Sequence, residues 1–182
     1  MIQHRRTKEI EEKTQKRENT RNLEITKMMN RLEKLRYKID KLIIKHQPHS
    51  VRDFSIHLYT VSEYCALLAI RRDLDPEIAA TCGMLHDIYQ ITEGTIEDHA
   101  IKGAVEAEKI LKSMDAYSDE EIAVITTAIS RHSKKRKFHE PYDELLKDAD
   151  VMSHSFYNMD YPLIEKDAAR YYKLLEELGC TV

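Results

Sequence analysis

Apolar residues recur at helical spacing along most of this chain. The most regular stretch places Ile25, Met28, Leu32, Leu35, Ile39 and Leu42 at intervals of 3, 4, 3, 4 and 3, a coiled-coil-like stripe along one face of a helix. At about two and a half heptads it is too short to be stable as an isolated pair of helices. It needs apolar cover, either from the domain that follows or from its copy in a homodimer. Residues 1–24 are almost wholly polar, offer little apolar surface against the entropy of ordering, and are expected to be frayed or disordered. Gln47-Pro48-His49-Ser50 breaks the pattern. Pro48 therefore marks the expected boundary between an N-terminal helical extension, residues 1–48, and a domain, residues 49–182.

Helix signals then follow one another to the end of the chain. An apolar helix through Leu58, Val61, Cys65, Leu68 and Ala69 is expected to end near Asp73. Asp75-Pro76 reads as the N-cap and first residue of a helix running through Ile78 and Leu85 to the His86-Asp87 doublet, which its last turn presents. Gly94 marks a loop, and a helix opening near Asp98 carries His99 in its first turn, with Gly103-Ala104 permitting close approach of a neighbour. Ser118-Asp119-Glu120-Glu121 is a capping box before Ile122, Ile125, Thr126 and Ile129. A further helix is expected over Asp143 to Asn158, and Pro162 opens a last one closed by Gly179. The fold class is all-α.

Composition agrees with this reading. Four glycines and four prolines in 182 residues are too few for a turn-rich β architecture. There is no run of 18 apolar residues and no apolar leader behind Met1-Ile2-Gln3-His4, so no membrane association and a cytoplasmic location are expected. The three cysteines, Cys65, Cys82 and Cys180, are odd in number and widely spaced, which suits reduced thiols. Charge is uneven: residues 1–48 carry 14 Lys and Arg against 7 Asp and Glu, and the remainder carries 15 against 25. A basic arm can bind nucleic acid, but interspersed charges of both signs also describe an ordinary solvated helix, and the second reading is preferred.

The candidate chemistry centres on His86-Asp87, an imidazole and a carboxylate closing the apolar run Ala79 to Leu85. A protonated histidine stabilising a helix C-terminus would explain His86 alone, but the adjacent carboxylate opposes the helix dipole there. A divalent ion explains both. His57 lies 29 residues before His86, and Asp150 lies 63 residues after Asp87. Such nitrogen and oxygen donors suit Mn, Fe, Co, Ni or Zn, with Mg where water completes the shell.

These segments resemble the HD-domain metal-dependent phosphohydrolases. The carriers are His57 in Ser55-Ile56-His57-Leu58-Tyr59, the doublet in Met84-Leu85-His86-Asp87-Ile88, and Asp150 in Lys147-Asp148-Ala149-Asp150. Two further matches are His99 in His99-Ala100-Ile101-Lys102-Gly103-Ala104 and His132 after the apolar stretch Ala123 to Ile129. The resemblance covers roughly residues 50 to 178 and implies an HD-domain helical bundle. It implies His57, His86, Asp87 and Asp150 as ligands of one ion, with His86 and Asp87 central to catalysis, and Asp150 rather than Asp148 through the Ala-Asp match. It also offers His99 and His132 for a second ion bridged by Asp87. Two ions are favoured over one.

Lys134-Lys135-Arg136-Lys137 follows His132 directly and is a candidate anchor for substrate phosphates, as is Arg52. A solvated, solubilising loop is the competing reading. Phe138, Tyr142 and Tyr89 could stack on a base, but packing is the commoner role of an aromatic at a helix end. His4, His46, His49, His139 and His154 match no motif and are read as surface or structural residues. The expected function is hydrolysis of a phosphomonoester or phosphoanhydride, of a nucleotide first of all, by a metal-activated water. The alternative is a non-catalytic, metal-bound regulatory module that senses a nucleotide or binds a partner.

Overall fold

Local capping chemistry sets most helix boundaries in the computed structural model, which describes residues 29–46, 50–157 and 163–180. Among the described residues there are eight helices and no strand: α1 (Arg31–His46), α2 (Val51–Arg71), α3 (Pro76–Leu85), α4 (Ile88–Glu93), α5 (His99–Met114), α6 (Asp119–Arg131), α7 (Pro141–Tyr157) and α8 (Glu165–Glu177). Ser50 caps α2 by accepting from the Asp53 amide, and Asp75 caps α3 by accepting from Glu77 and Ile78, with Pro76 in its first turn. Ser118 and Glu121 form the complete reciprocal capping box of α6. Gly94 and Gly179, both at positive φ, terminate α4 and α8.

Some boundaries differ from expectation. The α7 helix starts at Pro141, two residues earlier than expected, because a proline at the first helical position forfeits no internal hydrogen bond. The short α4 carries only Ile88 and Ile91 as buried residues, too brief a period to announce a helix in the sequence. The last helix begins at Glu165. Pro162, Asn158, Pro48, Ile25 and Met28, and the polar stretch 1–24, lie outside the described residues.

Contacts divide the chain into two units, residues 1–35 and 36–182, and the core that positions the candidate site lies in the second. Its axis is α3, in which every residue from Ile78 to Leu85 is buried. A helix apolar on all sides belongs at the centre of a bundle. Around it stand α2, α6 and α7, with α5 against α4 and α6, and α8 against α7. The approach of α2 to α3 is very close at Gly83, where a Cβ would stand 2.7 Å from the backbone N and Cα of Ser62. Gly103, expected to permit close approach, is less crowded: an added Cβ there would meet the His86 carbonyl oxygen at 3.4 Å. From residue 36 onward α1 is fastened to the same unit by Tyr59 donating to Asp40 and Lys38 donating to Ser113, and Ile39 and Ile43 are buried within the single chain. Cys65 and Cys82 are buried free thiols and Cys180 is exposed. No helix among the described residues is long and apolar enough to cross a membrane.

Candidate metal centre

Helix ends aim the histidines. His86 caps α3 and His132 caps α6 at their C-termini, where the last carbonyls have no partner inside the helix. Each ring folds back to use one: His86 Nδ1 lies 2.8 Å from the Gly83 carbonyl oxygen and His132 Nδ1 lies 2.7 Å from that of Ile129. His99, first residue of α5, uses the Ile96 carbonyl in the same way at 2.8 Å. A carbonyl can only accept, so each Nδ1 carries the proton and each Nε2 presents a lone pair. In the first turns of α2, His57 has Nδ1 3.0 Å from Ser153 Oγ on α7.

The Nε2 atoms converge in pairs. His57 and His86 approach to 3.1 Å, and His99 and His132 to 3.2 Å. Between the pairs stands Asp87, with one oxygen for each: Oδ2 is 3.4 Å from His86 and 3.7 Å from His57, and Oδ1 is 3.5 Å from His132 and 3.6 Å from His99. Asp150, on α7, brings Oδ1 to 3.4 Å from His57 and 3.9 Å from His86. Donors bound to a common ion at about 2.0–2.2 Å stand about 3.0–3.6 Å apart, close to these separations.

Asp87 Oδ1 is buried without a hydrogen bond among the described residues, an arrangement that costs stability unless a cation answers it. Burial, aided by the neighbouring His86 ring, pushes the His57 pKa down to about 4 and lowers that of His86 as well. Burial alone would raise the two carboxyl groups. The His86 and His132 imidazoles override it at Asp87, and Lys135 with His154 overrides it at Asp150, so both are held below the usual carboxylate range. Neutral imidazole lone pairs facing ionised carboxylates in a buried cluster fit a divalent cation. His57, His86 and Asp87 would hold one, with Asp150 Oδ1 beside the two imidazoles, and Asp87, His99 and His132 offer donors for another.

Asp148, the competitor of Asp150 in sequence, faces elsewhere. Its oxygens accept from Arg72 Nη2 and Arg170 Nη1, each at 2.8 Å. The basic run divides. Lys134, Arg136 and Lys137 are exposed, whereas Lys135 turns inward, is buried, and pairs with Asp150 Oδ2. Arg52, at the start of α2, is exposed and donates to the Tyr157 hydroxyl at 2.9 Å.

His154, read from sequence as a surface or structural residue, is exposed and borders the cluster. Its Nε2 is 3.2 Å from Asp150 Oδ1 and its ring lies 4.7 Å from that of His57, while its side chain stays 55% exposed. The Asp150 carboxylate raises its pKa. The available signal was its position four residues after Asp150, on the same face of α7.

Comparison with known proteins identifies the family. The HD domain family profile matches residues 54–154, a span that takes in all the converging residues from His57 to His154. Two proteins named Ribonuclease Y are similar in sequence. That from Clostridium kluyveri is 29% identical over 132 residues, covering 72% of this chain and 22% of its own length. That from Chlorobium luteolum is 30% identical over 117 residues, covering 63% of this chain and 21% of its own. The chain thus spans about a fifth of the length of these curated relatives. A crystal structure of a predicted HD superfamily hydrolase from an uncultured Thermotogales bacterium superposes with a TM-score of 0.54 at 22% identity, over 79% of this chain and 88% of that one. The match over residues 54–154, more than half of the chain, shows that the chain belongs to the HD domain family.

Proposed function

We propose that this domain is a metal-dependent phosphohydrolase that cleaves a phosphomonoester or phosphoanhydride, of a nucleotide first of all. The observation that carries the reading is Asp87, whose two oxygens face two separate histidine pairs. That arrangement suits two divalent ions sharing one carboxylate, drawn from Mn, Fe, Co, Ni, Zn or Mg. Ions bound there supply Lewis acidity, making water more acidic and offsetting the charge of phosphoryl oxygens. The chain's own residues do the rest. The carbonyls of Gly83, Ile96 and Ile129 hold three rings in orientation, so little reorganisation is needed on binding. Lys135 covers the outer oxygen of Asp150. Lys134, Lys137 and Arg52 offer exposed positive charge to substrate phosphates.

The similarity to proteins named Ribonuclease Y favours a second reading, in which the bond cleaved is a phosphodiester of RNA. One experiment separates the readings. Purified protein is loaded in turn with Mn, Fe(II), Co and Ni and offered a panel of nucleotides, other phosphomonoesters and a short single-stranded RNA. Turnover of nucleotides that disappears in Asp87→Ala supports the first reading, and cleavage of RNA with nucleotides inert supports the second. Tight nucleotide binding with no turnover under any metal would replace both with a regulatory module.

A further inference from the structure

A cavity of about 400 Å³, distinct in its lining from the metal centre, lies between residues 135–138, α7 and α8. Asp148 and Asp150 show that it is a different place. Two residues apart on α7, they point to different faces, Asp148 into this cavity and Asp150 into the metal centre. The volume is at the small end of the range for small-molecule sites and suits one nucleotide better than a polymer.

The wall combines a rigid frame with free charge. Arg72 and Arg170 are held by the carboxylates of Asp148, Glu144 and Glu177 at 2.7–2.8 Å. Arg170 also donates from Nε to the Lys135 carbonyl oxygen at 2.7 Å, which fixes the loop against α8. Lys147, fully buried behind it, donates to the Lys137 carbonyl at 2.8 Å and to His139 and Glu144 at 2.6 Å. The loop is therefore a pinned element. Against this frame the remaining cations of the lining, Arg136, Lys166 and Lys173, are exposed and make no ion pair among the described residues.

Phe138 completes the site. Its ring is 80% exposed and lines the cavity. Its centroid lies 5.8 Å from the Arg170 guanidinium and 6.0 Å from Lys173 Nζ, so cations flank the ring while most of its surface stays free. Free cations beside an open aromatic face are the recognition chemistry of a planar, anionic ligand: the ring stacks on a base and the cations take phosphate.

We propose that this cavity is a nucleotide-binding pocket separate from the metal centre, in which a base stacks on Phe138 and phosphate groups are held by Arg136, Lys166 and Lys173. It needs no metal and stands whether or not the centre turns over a nucleotide. The test is calorimetric titration of the full chain with ADP in excess EDTA. Binding is expected, weakening with salt, and at least tenfold weaker for Phe138→Ala and for Lys166→Glu/Lys173→Glu. All three side chains are exposed, and circular dichroism verifies that the variants fold. The double variant His86→Ala/Asp87→Ala should bind ADP as the parent does. Absence of binding by the parent, binding that survives the cavity substitutions, or binding lost with His86 and Asp87 would each overturn the proposal. Pyrophosphate should bind at least tenfold more weakly than ADP, and equal affinity would reject a base-stacking site. A short oligo(A) that binds tightly at these residues while ADP does not would reject the nucleotide in favour of an RNA strand.

Discussion

Gly83 and Ser62 meet backbone to backbone: a Cβ on Gly83 would sit 2.7 Å from Ser62 N and Cα, and Ser62 Oγ donates to the Ala80 carbonyl oxygen at 3.0 Å. That contact sets the separation of α2 and α3, and so the 3.1 Å approach of His57 to His86. Gly83→Ala should therefore force the helices apart. The expected loss is about 1–3 kcal/mol of stability, typical of overpacking, together with weakened metal binding. Urea denaturation and metal analysis of the same preparation check it; an unchanged midpoint with full metal content would sink the idea.

Removal of a carboxylate should have consequences that depend on which face of α7 it occupies. Asp150→Ala, like His86→Ala and Asp87→Ala, should abolish metal binding and hydrolysis while helical circular dichroism persists. Asp148→Ala breaks the pairs with Arg72 and Arg170. It should lower the denaturation midpoint and leave the metal in place. Equal metal loss in both Asp variants would reject the assignment.

Lys135 and Lys134 are neighbours with opposite surroundings. Lys135→Gln leaves the buried Asp150 carboxylate without its cation, a change that typically costs about 3–5 kcal/mol. In chelator-treated protein this should appear as a large drop in melting temperature, partly recovered when metal is added. Lys134→Gln, on the surface, should stay within about 0.5 kcal/mol of the parent. Similar behaviour of the two variants would contradict the inward placement of Lys135.

The metal-free protein should lose stability as pH falls from about 6.5 towards 4. The folded pKa of His57 is about 4 against an ordinary 6.5, and that of His86 is also lowered. Between these values the unfolded chain binds more protons, so stability rises with pH across that window and is fully present above it. Urea midpoints at pH 7.5, 6 and 5 in EDTA measure the slope. His57→Gln should flatten it, and a slope unaffected by that change would show that other groups dominate.

Ile39 and Ile43, buried within one chain, should each cost about 2–5 kcal/mol on replacement by alanine. The midpoint of the parent should be independent of protein concentration between micromolar and hundreds of micromolar. A concentration-dependent midpoint that the substitutions abolish would instead assign their cover to a second subunit.

Much of this architecture is written locally. Asp75-Pro76, Ser118 with Glu121, and Gly179 act within one helical turn of themselves, so their caps could be read without knowing what the helices pack against. The His86-Asp87 doublet was legible for the same reason, since the apolar run before it ends in two groups that no core accepts unpartnered. The choice of Asp150 over Asp148 rested on a family resemblance, and the two face different sides of one helix. Other features depend on residues far apart in sequence. Nothing near Gly83 announces that Ser62 will touch it, because steric contact between two helices is a property of the pair. Lys135 looks like its three basic neighbours until Asp150, fifteen residues away, draws it inward. The extended part of the apolar stripe likewise gave no choice of partner; Tyr59 and Ser113 supply the anchors for Asp40 and Lys38. The cavity beside Phe138 exists only where α8 returns to α7, and its charge becomes available only because Asp148, Glu144 and Glu177 are already occupied by two arginines. Hydrogen bonds within a turn follow from neighbouring residues, whereas burial, pairing of distant charges and shared ligands are set by the packing of whole helices.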